Sequence, residues 1–193
     1  PIWKFKPYGQ SGKMISDMLY LAQTDNQLIK PDLVDVDMAA ELDALFEYFE
    51  PWAEERHIQL KRTGQMPRVR GDRLMIRRAL SNLLSNAIRH TSGEQAVTVS
   101  LRQDQQSVVI TVSNPGDTIA PEHLPHLFDR FYRVDPSRQR NGDGAGLGLA
   151  IVKSIAEAHG GEIAVRSSNG NTSFELKLPN AITVSFPNAI VQI

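Results

Sequence analysis

The sequence predicts an α+β sandwich, with helices on one face of a mixed, mainly antiparallel sheet. Apolar residues recur at three- and four-residue spacing in four separated stretches, and two pairs of alternating runs are each joined by a short polar turn. A long loop rich in Gly, Pro and charge lies between those pairs. With 193 residues and 41% hydrophobic content, the chain can bury one good core and is too short to promise two full domains.

Residues 1–11 contain breakers and no period, and read as an irregular lead. From Lys13 to Asp25 the residues Met14, Ile15, Met18, Leu19, Leu21 and Ala22 form one apolar stripe, which suits a helix packed on its own domain or on a partner helix. Beyond Pro31, the stretch Asp37 to Arg56 places Leu42, Leu45, Phe46, Phe49, Trp52 and Ala53 at helical spacing, and the strand-like HIQLKR follows. Asp72 is a plausible N-cap for a long helix with Leu74, Ala79, Leu80, Leu83, Leu84, Ala87 and Ile88 on its buried side, ending between His90 and Gly93. AVTVSLR and SVVITVS flank the turn DQQ as a hairpin. After the loop from Asn114 to Gly148, a helix is expected over Leu149 to His159, stopped by Gly160 and Gly161, and EIAVRSS and TSFELKL flank NGN as a second hairpin.

The composition narrows the function classes. A formal net charge of -1 gives no basic footprint for nucleic acid. The absence of cysteine removes disulfides, thiolate metal sites and cysteine nucleophiles, and any metal must be held by oxygen or imidazole. No apolar run approaches the ~20 residues of a membrane span, and the start lacks a signal-peptide pattern, so a soluble piece is expected.

Three blocks carry chemistry. In NLLSNAIRHT, Asn82 and Asn86 stand four apart and share a helix face. Their carboxamide oxygens can serve a hard cation such as magnesium, which keeps waters and shares substrate phosphates; an isolated pair of this kind can equally satisfy neighbouring backbone. Arg89 and His90 can reach phosphates or favour the helix C-terminus. In NGDGAGLGLAIVK, Gly142, Gly144, Gly146 and Gly148 precede a helix, so backbone N–H groups and the helix N-terminus suit an anion, with a flexible hinge as the alternative. No strand leads directly into these glycines as a Rossmann fingerprint requires, and GK[ST] is absent. The connector VSNPGDTIAPEHLPHLFDRFYRVDPSRQR offers the apolar pairs Leu124/Leu127 and Phe128/Phe131 to anchor a short helix, and adds Arg130, Arg133, Arg138 and Arg140. A lid over a triphosphate or a solvated basic loop would both use such a segment.

Taken in this order, the blocks resemble the ATP-binding domain of sensor histidine kinases, in the wider superfamily of gyrase-type and chaperone ATPases. NLLSNAIRHT resembles the N box, LFDRFYR the F box and GDGAGLGLAIVK the G2 box, over roughly residues 14 to 179. The lid wording is similar to the heavy-metal, especially copper and silver, sensor kinase branch. The resemblance implies the two-layer sandwich of that superfamily, with ATP as substrate and Mg²⁺ as cofactor. It makes Asn86 the metal ligand, with Asn82 beside it, Arg89 a phosphate-binding cation, and His90 a neighbour of the nucleotide. Gly144, Gly146, Leu147 and Gly148 would meet phosphates through their backbone, with Gly142, Phe131 and Arg133 in the lid. The usual G1 box is DxGxG, whereas Asn114, Pro115, Gly116, Asp117 and Thr118 stand here. Asn114 would accept from the adenine amino group, with Gly116 and Thr172 alongside.

The related ATPases place a glutamate four residues before the metal-binding asparagine. This sequence has Asn82 there, and a carboxamide is no general base at neutral pH, so transfer to a side chain is favoured over hydrolysis. None of His57, His90, His123, His126 or His159 sits in an HE-type acceptor motif, while KMISDMLYLAQTDN resembles the tail of the second dimerisation helix. The expectation is therefore a kinase module whose acceptor histidine lies outside this chain. Residues 1–30 would be lead and helix remnant, 31–179 the ATP-binding domain, and 180–193 an extension that could add a strand. Expected partners are the dimerisation and phosphoacceptor domain of a parent kinase, a response regulator and a second copy in a homodimer. Expected placement is the cytoplasmic part of a bacterial inner-membrane protein, the membrane being reached only through parent segments. The rivals are a gyrase- or chaperone-type ATPase, and a nucleotide-binding or dimerisation module without transfer.

Overall fold

The computed structural model describes residues 10–25, 30–134 and 145–180. Its elements are α1 (Gln10–Asp25), β1 (Val34–Asp37), α2 (Met38–Glu55), β2 (Gln59–Gly64), β3 (Arg68–Gly71), α3 (Arg73–His90), β4 (Ala96–Gln103), β5 (Ser107–Pro115), α4 (Gly148–Ala158), β6 (Glu162–Ser168) and β7 (Asn171–Pro179). Five strands form one sheet in the order β2-β4-β5-β7-β6. β2 runs parallel to β4 and every other pairing is antiparallel, which is the mixed, mainly antiparallel sheet expected.

Alternation along the strands decides which face meets the helices. Val97, Val99 and Leu101 of β4, Val108, Ile110 and Val112 of β5, and Phe174, Leu176 and Leu178 of β7 are all buried. The apolar stripes of α2, α3 and α4 cover that face, with Leu42, Leu80, Leu84, Ile151 and Ile155 fully enclosed. Leu74, assigned above to the buried side of α3, is instead 75% exposed. In the first turn the stripe runs through Met75 and Ile76, one residue further round the helix.

Capping sets where the helices start. Asp37 Oδ1 accepts from Ala40 N at 3.1 Å to open α2, and Asp72 Oδ1 accepts from Leu74 N and Met75 N at 3.0 Å each to open α3. Asp72 N donates to Nε2 of the buried His159 at 2.9 Å, and His159 Nδ1 donates to Ile155 O at 2.8 Å. One imidazole thereby joins the start of α3 to the end of α4. Glu41 of α2, its side chain 2% exposed, takes Arg73 on one carboxylate oxygen and Arg77 on the other. Burial pushes its carboxyl up, but the hydrogen bonds and charge of the two guanidinium groups outweigh this and hold it below the usual carboxylate range.

Two features differ from expectation. Val34–Asp37 and Arg68–Gly71 pair as a separate antiparallel ribbon, missed because each strand is only four residues long. α1 begins at Gln10 rather than Lys13, since Gly12 weakens a helix without stopping it. Leu21 of α1 is buried while Met14, Ile15, Met18 and Leu19 stay exposed, so the helix lies on its own domain by one edge of its stripe. Asp17 pairs with Arg78 of α3 at 2.6 Å, and the Arg78 guanidinium sits 4.1 Å from the centre of the Tyr20 ring. Among the described residues no helix is long and apolar enough to cross a membrane. Of the expected extension 180–193, only Asn180 lies within the described residues.

Candidate nucleotide-binding site

Four element ends converge: the second half of α3, the end of β5, the start of β7 and the start of α4. Asn82 and Asn86 are both half-buried on α3. The Asn82 side chain lies beside Gly148, the first residue of α4: a Cβ at position 148 would meet Asn82 Oδ1 at 3.6 Å and Cγ at 3.7 Å, an ordinary van der Waals contact. Asn82 Nδ2 is closed off from solvent and has no hydrogen-bond partner. The N-cap of α4 is Leu147, buried and with no oxygen in its side chain to cap the helix. Main-chain donors therefore stand at the place where the glycine block was expected to hold an anion.

At the other end of α3, Gly116 lies directly against the helix terminus. A Cβ there would come within 2.4 Å of the His90 carbonyl oxygen, which explains a glycine without any appeal to a left-handed backbone. Asn114 is 2% exposed and faces Thr172 across the β5/β7 pair. Its Nδ2 donates to Pro115 O at 3.1 Å, turning the donor end of the amide away and leaving Oδ1 to accept. Thr172 Oγ1 shares a hydrogen bond with Ser167 Oγ at 2.8 Å, and Ser167 Oγ accepts from Ile119 N at 2.9 Å. Ser167 was not anticipated, since in EIAVRSS it reads as an ordinary solvent-facing strand residue. Arg89 is half-buried in the last turn of α3, where its charge suits the helix C-terminus, and His90 is exposed beside it.

The connector folds back over this region. The short helix expected there is reduced to a single 3-10 turn, Leu124–His126, with Leu127 buried and Phe128 edge-on to Phe174 at 6.3 Å between ring centres. Phe131 does not anchor it: the ring is 54% exposed and φ is 63°. Phe131 N donates instead to Gly146 O at 3.0 Å, and Gly146, at φ 71°, has the Phe131 backbone 2.9 Å from where a Cβ would sit. His123 Nδ1 and Tyr132 OH, 2.7 Å apart, clip the same turn. The F-box and G2-box stretches are thus joined through main chain. Arg133 is half-buried beside them and Arg130 exposed. Gly142, Gly144, Arg138 and Arg140 lie outside the described residues.

Residues 71–182 match the family described as histidine kinase-, DNA gyrase B-, and HSP90-like ATPase. The chain belongs to this family. Over 167 residues it is 53% identical to the sensor histidine kinase CusS of Escherichia coli strain K12, covering 86% of this chain and 35% of that protein. It is 49% identical over 176 residues to the probable sensor kinase SilS of Salmonella typhimurium, covering 89% and 35%. The chain thus spans about a third of the length of these curated relatives. Among solved structures, the histidine kinase AdeS of Acinetobacter baumannii superposes with a TM-score of 0.75 at 23% identity, over 88% of this chain and 78% of the other, a likeness of fold. Full-length ShkA, solved in complex with AMPPNP, gives a TM-score of 0.75 at 27% identity over 88% and 36%. The family placement agrees with the sandwich and with the order of the N, F and G2 blocks.

Proposed function

We propose that this chain is the ATP-binding catalytic module of a two-component sensor histidine kinase, handing the γ-phosphoryl group of Mg·ATP to a histidine on a dimerisation domain. The observation that carries the reading is the convergence of a glycine-led helix start, with Leu147 at its N-cap, on the asparagine face of α3, with Asn114 at the far end of the same helix. In this reading Asn114 Oδ1 accepts from the adenine amino group, with Gly116 and Thr172 beside it. Arg89 and His90 neighbour the phosphates. Gly142, Gly144, Gly146, Leu147 and Gly148 offer backbone donors, and Phe131 and Arg133 close over the nucleotide.

The residues present fit a magnesium ion. Among the described residues no cluster of three or more His, Cys, Asp or Glu side chains is arranged to hold a metal. Asn86, half-buried on α3, is an oxygen donor of the kind that suffices when waters and phosphates fill the other positions. When bound, the ion neutralises charge that develops on the phosphate oxygens. The chain itself orients the triphosphate and excludes water. The β–γ bridging O–P bond breaks as an N–P bond forms to the acceptor imidazole, ADP leaves, and the imidazole proton passes to solvent. Asn82 cannot deprotonate a water, which disfavours hydrolysis.

The similarity to CusS and SilS supports a parent sensor with a dimerisation and phosphoacceptor domain, a cytoplasmic catalytic end at a bacterial inner membrane, and a response regulator as the next carrier. The lid wording supports copper, silver or another heavy metal as its signal, and the likeness of KMISDMLYLAQTDN to a dimerisation helix supports a homodimer. Incubation with γ-labelled ATP and a separately made acceptor domain tests the reading. Acid-labile label on the acceptor histidine is expected, with little free phosphate. Steady ATP turnover by the chain alone would replace the kinase with an ATPase, and binding without label would leave a nucleotide-binding module.

A further inference from the structure

We infer that Ser167 is a positioning residue that sets base specificity, by holding the Thr172 hydroxyl as a donor toward the base. The inference rests on the nucleotide reading above and adds to it a side chain that acts only through its neighbour. Asn114, Thr172 and Ser167 stand side by side in one cross-strand row over β5, β7 and β6. The rows behind it on the same face are apolar, first Val112, Phe174 and Val165, then Ile110, Leu176 and Ile163. A single polar row thus closes an otherwise apolar face, and the hydrogen bonds at its two ends fix which way its hydrogens point.

At one end Ser167 Oγ accepts from Ile119 N at 2.9 Å, and a main-chain N–H can only donate. The single hydrogen of Ser167 then goes to Thr172 Oγ1 at 2.8 Å, its one acceptor among the described residues. Thr172 receives that bond and keeps its own hydrogen for the site. At the other end Asn114 Nδ2 is occupied by Pro115 O at 3.1 Å, so the amide shows its oxygen. A base therefore meets an acceptor, Asn114 Oδ1, next to a donor, the Thr172 hydroxyl. Adenine presents the complement on its pairing edge, an amino group beside a bare ring nitrogen. Guanine presents a carbonyl beside a ring N–H, which sets acceptor against acceptor and donor against donor. Without the Ser167 hydroxyl, Thr172 is free to turn and accept, and half of that discrimination is lost.

Calorimetric titration of Mg·ATP and Mg·GTP into wild type, Ser167→Ala, Ser167→Thr and Ser173→Ala tests the inference, with thermal unfolding recorded for each protein. Ser173 shares a hydroxyl pair with Ser113 at 2.8 Å on the opposite face of the same strands, so Ser173→Ala controls for the loss of a hydroxyl as such. Wild type is expected to prefer ATP by at least about 100-fold, since a mismatched base leaves buried polar groups unpaired. Ser167→Ala should narrow that preference about 10-fold, while Ser167→Thr, which restores the hydroxyl, and Ser173→Ala keep it. Equal losses of ATP and GTP affinity in Ser167→Ala would make the residue merely structural and overturn the inference. A second measurement needs no variant and serves should Ser167→Ala unfold: wild type is titrated with the analogue of ATP whose bare ring nitrogen is replaced by C–H. Binding about 5-fold weaker than ATP is expected, the size of one neutral hydrogen bond, and equal binding overturns the donor assigned to Thr172. Wild type that binds ATP and GTP alike removes adenine from the reading, and wild type that binds neither removes the nucleotide site itself.

Discussion

Replacing Gly116 by alanine tests how closely the two ends of the site are held together. The added methyl carbon would lie 2.4 Å from His90 O, 1.0 Å short of the 3.4 Å at which ordinary contact begins. Both groups belong to the backbone, so no side chain can rotate out of the way. The strand cannot simply swing aside, because Gly116 N donates to Gly170 O at 2.9 Å and Asn114 is in register with Thr172. The helix end is equally tied, with Thr91 Oγ1 donating to Ala87 O at 2.7 Å. Overpacking of this kind costs about 1–3 kcal/mol, equivalent to a fall in melting temperature of ~3–9 °C for a chain this size. The functional loss should be larger, since a 1 Å displacement of positioning groups can cost on the order of 100-fold in rate. Calorimetric ATP affinity, transfer to an added acceptor domain and thermal unfolding measure the three effects. Wild-type values in all of them would refute the contact between β5 and α3.

Two further substitutions address the scaffold. Glu41→Gln should destabilise by about 2 kcal/mol at neutral pH, less than the roughly 3–5 kcal/mol of a fully buried broken pair because Arg73 and Arg77 remain 58% and 39% exposed. Since the folded carboxyl lies below its usual value near 4.5, its contribution is complete above that pH and lost as pH falls through the folded value. The difference between wild type and Glu41→Gln in urea unfolding should therefore shrink on acidification from pH 6, and a constant gap would contradict the ion pair. His159→Ala removes the partners of Asp72 N and Ile155 O inside the core and should cost about 3–5 kcal/mol. His159→Gln should recover part of that by accepting from Asp72 N, and equal losses in the two variants would argue against the hydrogen bond.

Much of the fold was legible because burial imposes a period. The stripes of α2, α3 and α4 and the alternation in β4, β5 and β7 follow from one covered face, and Asp72 marks its helix start by the hydrogen bonds a cap must accept. The ribbon of Val34–Asp37 with Arg68–Gly71 was not legible, because four residues are too few to establish alternation and the pairing spans a whole helix and strand. The misplaced Leu74 shows the same limit at a helix end, where one residue of rotation separates solvent from core. Within the candidate site the residue types were readable and their contacts were not. Gly116 was noted for its place in a motif, but the reason for a glycine is the His90 carbonyl, 26 residues earlier in the chain. Ser167 gave no signal at all, since its contacts with Ile119 and Thr172 exist only once the connector folds over the sheet.

The magnesium dependence of ATP affinity in wild type and Asn86→Ala bears most directly on the proposed function. Wild type should bind ATP more tightly when Mg²⁺ is added, and Asn86→Ala should lose most of that gain while keeping its melting temperature. Equal affinities in the two proteins, with the same response to Mg²⁺, would contradict a cation-bearing nucleotide site on α3.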